Sequence, residues 1–571
     1  MQRYSYSEEL PPGHIRLLEI ERHEDNQLQG CIQIYDLSDP PRYEALSYVW
    51  GAEEPKFLIG RHEPFFDVPQ NLYTALHTIM SLTDPAERRT LWIDQICINQ
   101  KDDDEKSDQV KLIRNIYESA QDVLVWLGNP LPGIPNVASY LEWLPSLIYI
   151  IERNVIQAGS SVGLPHSDDL VWAIIRDILH KDWYHRVWTL QEAVLARELV
   201  VYYGANILDW DFVVKLYTVY SAAPLMLRRL HDQEELNYQP ISWIQTYRKR
   251  WQREMDIDFT HLLWTCGFKK CSNPLDRIYG LLGISGESIR ENIEPIYTAQ
   301  EHQVFLDAFG LAIQLDFQLH ILSLSFDRGD TIGLPTWCPN LKAFNGCVQL
   351  NSYFVGRRSL TEKSSKVSLA DADTLRIQGL EIDKISRIAQ SHYPSLEQTD
   401  PVLRAKLLSQ FQKETLRLTL PVYESINTAQ EVYCRTLVAD VATEHGGHKW
   451  SIEEIITGCR SHFSRGSLRN KNEKTLSIKY ESLAQKACIG RKFVVTMNGR
   501  VGLAPATCRE GDVICVFLGA CVPHVLRPNV EPADTTTFRF VGDCYLHGIM
   551  NMEALDMLEK GEVELREFIV T

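Results

Sequence analysis

Between residues 43 and 127, short runs of β-forming residues alternate with stretches of helical periodicity, and this alternation constrains the fold more than any other feature. Tyr43 to Trp50, in YEALSYVWG, is rich in β-formers and stops at Gly51, which predicts a buried strand followed by a turn. In VPQNLYTALHTIM the apolar residues Leu72, Ala75, Leu76, Ile79 and Met80 keep helical spacing, and Asp84-Pro85 closes the segment. Leu91 to Ile93 reads as a second strand and DQICINQKDDDEK as a solvated loop. From Ser107 to Gln121 a second helix places Val110, Ile113, Ile116 and Ala120 on one face, and Val123 to Leu127 is a third strand. Strands joined by connections of helix length run parallel, so this order predicts a parallel sheet covered by helices.

With 571 residues the chain needs several cores. A lead-in of residues 1–41 precedes one α/β domain over 42–205, in which Pro, Gly and Ser around two apolar runs mark an insertion at 129–181. WYHRVWTLQEAVLARE then reads as a helix and Leu199 to Gly204 as a fourth strand. Residues 206–330 keep helical spacing. From 331 to 571 short strands dominate, with a hairpin signal at Asn498-Gly499 and a helical, charged insertion at about 395–488. The expected fold class is multidomain α/β: an N-terminal parallel sheet flanked by helices, a helical middle region and a mixed C-terminal domain with β-strands.

Charge narrows the partners. Lys plus Arg number 58 against 75 Asp plus Glu, a net charge of −17, which opposes general binding to nucleic acid or anionic membrane. The longest apolar stretch, around Ser139 to Ile151, is broken by Glu142 and Pro145 and falls short of the ~20 residues of a membrane span. The start MQRYSYSEELPP lacks the layout of a secretion signal. Thirteen cysteines with no CxxC pair fit reduced thiols. A cytoplasmic protein with no nucleic-acid partner and no membrane span is expected.

In a parallel α/β sheet ligands gather beyond the carboxyl ends of the strands. That places Ser47, Tyr48, Trp50, Gly51, Asp94, Asn99 and Gln100 on the floor of a candidate substrate-binding pocket. The same residues also suit a purely structural part, Trp50 and Gly51 setting a turn while Asp94 and Asn99 tie down a loop. Cys97, between two isoleucines, fits a small buried hydrophobe. Gly159 to Gly163 matches G-x-S-x-G but lacks the strand before and the helix after that a nucleophile elbow needs. His261, Cys266 and Cys271 are spaced by five, unlike paired zinc ligands, and there is no phosphate-binding loop, so neither a metal nor a cofactor is expected.

YEALSYVWG, LWIDQICINQ and RVWTLQEAVLA, in this order, resemble the fungal heterokaryon-incompatibility (HET) domain over about residues 42–205. SNPLDRIYGLLGI, LPTWCPNL and the run from GRKFVVT through GDVICVFLGA to HGIM resemble parts commonly attached to it. The HET domain is regarded as a remote relative of Toll/interleukin-1 receptor (TIR) domains, some of which cleave NAD+, and the 129–181 insertion departs from that pattern. The resemblance implies non-self recognition and programmed cell death, NAD+ as substrate, Glu192 as the catalytic residue with Trp188 beside it in W-x-x-x-E, and self-association or an incompatibility partner protein. Nicotinamide leaves as a neutral molecule from a cationic ring, so one carboxylate suffices, placed where the ribose becomes positive. Two readings stand: an NAD+-cleaving enzyme, or a non-catalytic interaction module in which Trp188 is core and Glu192 pairs locally.

Overall fold

The computed structural model describes residues 4–571 apart from 7–8, 24–26, 52–55, 60–65, 85–86, 134–138, 141, 143, 147–148, 150–169, 223–239, 268, 316–318, 326–332, 344–366, 372, 396–399, 441–449, 465–470 and 530–536. It divides into two compact units, residues 1–300 and 301–571, with mixed α and β content. Most of the 129–181 insertion, including Gly159 to Gly163, lies outside the described residues.

In the first unit the strands are β1 (His14–Arg22), β2 (Leu28–Asp36), β3 (Glu44–Tyr48), β4 (Lys56–Ile59), β5 (Phe66–Pro69), β6 (Arg89–Trp92), β7 (Val123–Trp126), β8 (Leu199–Tyr203) and β9 (Asn206–Asp209). Seven of them form one sheet in the order β2-β1-β6-β3-β7-β8-β9. Its middle pairings, β6 with β3, β3 with β7 and β7 with β8, are parallel, as the alternation predicts. Helix α1 (Gln70–Ser81) buries Leu72, Ala75, Leu76, Ile79 and Met80, the residues of its helical spacing, against Leu46, Leu91, Leu124 and Trp126 of the sheet. The acidic loop is shorter than read: α2 (Asp94–Cys97) is a single turn, and Asp102 caps α3 (Asp103–Ser119) by accepting from the backbone of Asp104 and Glu105.

The edges of the sheet depart from the sequence reading. Residues 14–22 and 28–36, placed in a lead-in, are two antiparallel strands, and β1 joins the parallel core by antiparallel pairing with β6. Arg16 and Glu19 interrupt the apolar run of β1 and hide it; Arg16 is nevertheless buried and forms an ion pair with Glu105 at 2.6 Å. The compact first unit also runs past residue 205. Helices Pro240–Trp251, Phe259–Cys266 and Asp276–Leu282 belong to it, whereas helix Glu301–Leu315 belongs to the second unit, so the 206–330 helical region is divided between the two.

The second unit contains β10 (Val367–Asp371), β11 (Thr374–Ile388), β12 (Arg491–Thr496), β13 (Val501–Pro505), β14 (Val513–Phe517), β15 (His524–Pro528), β16 (Thr537–Asp543), β17 (Tyr545–Leu546) and β18 (Leu565–Val570). Strand β11 is 15 residues long and pairs in turn with β18, β14 and β12, with register shifts near Glu381 and Ile385 that let it serve several neighbours. The chain of pairings β11-β14-β15-β16-β18 returns to β11, which closes a barrel. Between β11 and β12 lie helices Pro401–Thr419, Ile426–Thr436, Ile452–Phe463 and Lys471–Cys488. Ser451 and Glu454 form a reciprocal capping box at the start of the third. No helix among the described residues is long and apolar enough to cross a membrane.

Candidate functional site

Strands β7 and β8 are parallel neighbours, so the helix between them must run back against the strands and begin at their carboxyl edge. Of the helices between them, Thr189–Leu195 leads directly into β8, and Glu192 lies in its first turn. The block WYHRVWTLQE is therefore not one helix. A 3-10 turn at Asp182–His185, extended Arg186 and a bend at Val187 form a strap across the carboxyl ends of the strands before the helix starts.

Three elements converge there. The Ser47 hydroxyl at the end of β3 donates to Glu192 Oε2, and the Trp183 indole of the strap donates to Ser47 Oγ at 2.7 Å. Arg186 donates to the backbone carbonyl of Tyr48. Its positive charge is felt by Tyr48, Asp94, Glu192 and Asp276. Glu192 is 6% exposed. Burial pushes its carboxyl up to about 7, against the opposing pull of Arg186 and the Ser47 hydrogen bond, while Asp94 adds to the rise and Lys269 counters it. Burial also raises Asp94, opposed chiefly by Arg186 and by the Trp50 indole, which donates to Asp94 Oδ2 at 2.7 Å. A carboxyl of this kind changes charge near neutrality, the condition a reacting acid or base needs.

The predicted pocket residues separate into two groups. Ser47, Tyr48, Asp94 and Glu192 share one electrostatic neighbourhood, with the Tyr48 hydroxyl donating to Gln95 Oε1 at 2.7 Å and Trp50 tied to Asp94. Gln100 braces this group by donating to the Asp94 carbonyl at 2.8 Å. Gly51 is exposed in a turn with φ of 72°, and Asn99 is turned toward Glu105 and Lys101, so both serve the loop geometry. Trp188 ends the strap. It helps stabilise Asp276, whose carboxyl is raised by burial and also accepts from the Tyr297 hydroxyl at 2.8 Å.

Sequence reasoning missed Trp183, Arg186, Gln95, Lys269 and Asp276. Arg186 carried a signal, a cation set among the aromatic residues Trp183, Tyr184 and Trp188; Lys269 carried none. Cys97 is fully buried and its thiol is pushed up to about 12, as suits a packed hydrophobe. His261 bonds the Tyr247 hydroxyl at 2.7 Å and Cys266 approaches the Arg277 carbonyl at 3.4 Å. Among the described residues no cluster of His, Cys, Asp or Glu is arranged to hold a metal ion.

Comparison with known proteins accords with this layout. Residues 43–192 match the family described as heterokaryon incompatibility protein (HET), a match that ends on Glu192, and residues 465–565 match the Het-6 beta-barrel domain. The chain is 24% identical to "Heterokaryon incompatibility protein 6, OR allele" of Neurospora crassa, an alignment covering 97% of this chain and 96% of that protein. No solved structure matches it.

Proposed function

Taking the chain as a fungal HET-domain protein that also carries a Het-6 barrel domain, we propose that it acts in heterokaryon incompatibility, as a cytoplasmic non-self-recognition protein whose first unit triggers programmed cell death by TIR-like cleavage of NAD+. The observation that carries this reading is the placement of Glu192: a buried carboxyl beyond the carboxyl ends of parallel strands, held by Ser47 and faced by Arg186. In the proposed reaction water replaces nicotinamide at the ribose carbon, giving ADP-ribose, nicotinamide and a proton. The ionised Glu192 stabilises the positive charge that develops on the ribose, and Arg186 suits the diphosphate. Trp183 holds the Ser47 hydroxyl that bonds this carboxylate. Activation by self-association or by an incompatibility partner protein belongs to the same proposal.

A second reading, a non-catalytic module that recruits partners, is favoured by one feature, the low exposure of Glu192. Nicotinamide release by the full chain, compared with Glu192→Gln, separates the two. The enzymatic reading expects release to fall at least ~100-fold in a variant that unfolds at or above the wild-type temperature. Undiminished killing of fungal cells by a stably folded Glu192→Gln protein overturns it and leaves the module.

A further inference from the structure

The strap that carries Trp183 and Arg186 is pinned from outside the matched HET segment. Lys270 donates its backbone N–H to the His185 carbonyl at 2.5 Å, and Val187 donates to the Lys270 carbonyl at 3.0 Å. The Lys269 ammonium, 2% exposed, donates to the Tyr184 carbonyl at 2.9 Å. Arg277 in turn donates to the carbonyls of Cys266 and Lys269 at 3.1 and 3.2 Å, which ties this segment to helix Asp276–Leu282. That helix approaches the Glu192 helix closely. The Gly283 N–H donates to Gln191 Oε1 at 3.1 Å, and a Cβ on Gly283 comes within 2.6 Å of the same oxygen, so a larger residue there displaces the Gln191 amide.

We propose that Lys269 is a positioning residue of the Glu192 site, fixing the strap that sets Trp183 and Arg186 and placing a second positive charge beside the carboxylate. The proposal rests on the functional reading above only for its link to turnover. Lys269 and Glu192 feel each other's charge, and burial draws the ammonium down to about 8 against the pull of Cys266 and Glu192. The other groups facing Glu192 are Ser47 and Tyr48 of β3, Asp94 after β6, Tyr117 of α3 and Arg186 of the strap. Burying an ammonium is unfavourable unless its charge is used, and here it supports a carboxylate whose ionisation is itself opposed by burial.

The test is pH-difference infrared spectroscopy of the full chain, with Glu192→Gln as the blank, which reads the carboxyl directly without any substrate. Lys269→Met keeps the stem and removes the charge, and is expected to move the Glu192 midpoint upward by about one pH unit, with Lys269→Arg restoring it. An unchanged midpoint in folded Lys269→Met overturns the proposal. If Lys269→Met does not fold, Lys269→Arg carries the test alone: the second shift of the carboxylate band near pH 8, expected in the wild type as Lys269 loses its proton, must vanish, and its persistence overturns the proposal. The pH profile of nicotinamide release should follow the infrared midpoint. A shifted midpoint in a protein that releases no nicotinamide upholds the positioning of Glu192 and removes NAD+ cleavage.

Discussion

Glu192 in the first unit and His524 in the barrel are both buried titratable groups, and their surroundings could hardly differ more. Glu192 receives the Ser47 hydroxyl and stands within the fields of Arg186 and Lys269. His524 is 1% exposed, lies between Phe517 and Phe540 with ring centroids 5.1 and 5.5 Å away, and neither of its ring nitrogens has a hydrogen-bond partner among the described residues. Burial draws its imidazole down to about 3. Burial alone therefore does not mark a functional residue; the donors and countercharges gathered around the group do. By that criterion the barrel's histidine is packing, and Glu192 is the candidate for chemistry.

The largest effect should come from a buried ion pair that contrasts with His524. Arg491 and Asp543 are wholly buried and joined at 2.7 Å. Arg491→Leu leaves the Asp543 carboxylate without its countercharge and is expected to cost about 3–5 kcal/mol of folding stability, measured by denaturant unfolding. A loss below about 1 kcal/mol would place Asp543 among the tolerated groups and weaken the contrast.

The two groups should also give opposite pH slopes. The Glu192 carboxyl is raised in the fold from 4.5 to about 7, so its contribution to stability is complete below 4.5 and is lost as pH rises to 7, a loss of about 3 kcal/mol. The His524 imidazole is lowered from 6.5 to about 3, so nothing is lost above 6.5, and about 2 kcal/mol has gone by pH 5. Thermal unfolding across pH 4–8 should show the alkaline slope flattened by Glu192→Gln and the acid slope flattened by His524→Leu. A slope unaffected by its own variant breaks that half of the comparison.

The smallest effect is expected from His524→Leu at pH 7. Replacing an imidazole with two unpartnered nitrogens by an apolar side chain should be neutral or stabilising by about 1 kcal/mol. A loss beyond about 2 kcal/mol would mean that the ring nitrogens have a partner, such as a bound water, and that the barrel interior is not dry.

The alternation of short strands and periodic helices was enough to predict the parallel centre of the first sheet, because burial on both faces of β3 and β7 leaves an apolar run that reads without tertiary context. The face of α1 and the β12–β13 hairpin at Asn498-Gly499 were equally legible, since helix periodicity and turn chemistry are local. The β1–β2 pairing was not, because Arg16 reads as solvated until the fold supplies Glu105 from a distant helix. Likewise the α/β domain over 42–205 reads as a unit in sequence, yet its Glu192 helix ends under Arg248, whose guanidinium donates to the carbonyls of Ala193 and Ala196.

The candidate site divides along the same line. Residue type and local order pointed to Ser47, Tyr48 and Asp94, since strand ends can be read from short-range pattern, whereas Glu192 came from the resemblance to the HET domain. The shared electrostatic neighbourhood of Arg186 and Lys269 around one carboxyl arose only on folding, when residues far apart in the chain were brought within range of each other's charge. Sequence spacing carries no record of such meetings, because Coulomb interaction and desolvation depend on distance and dielectric in space, not on position along the chain.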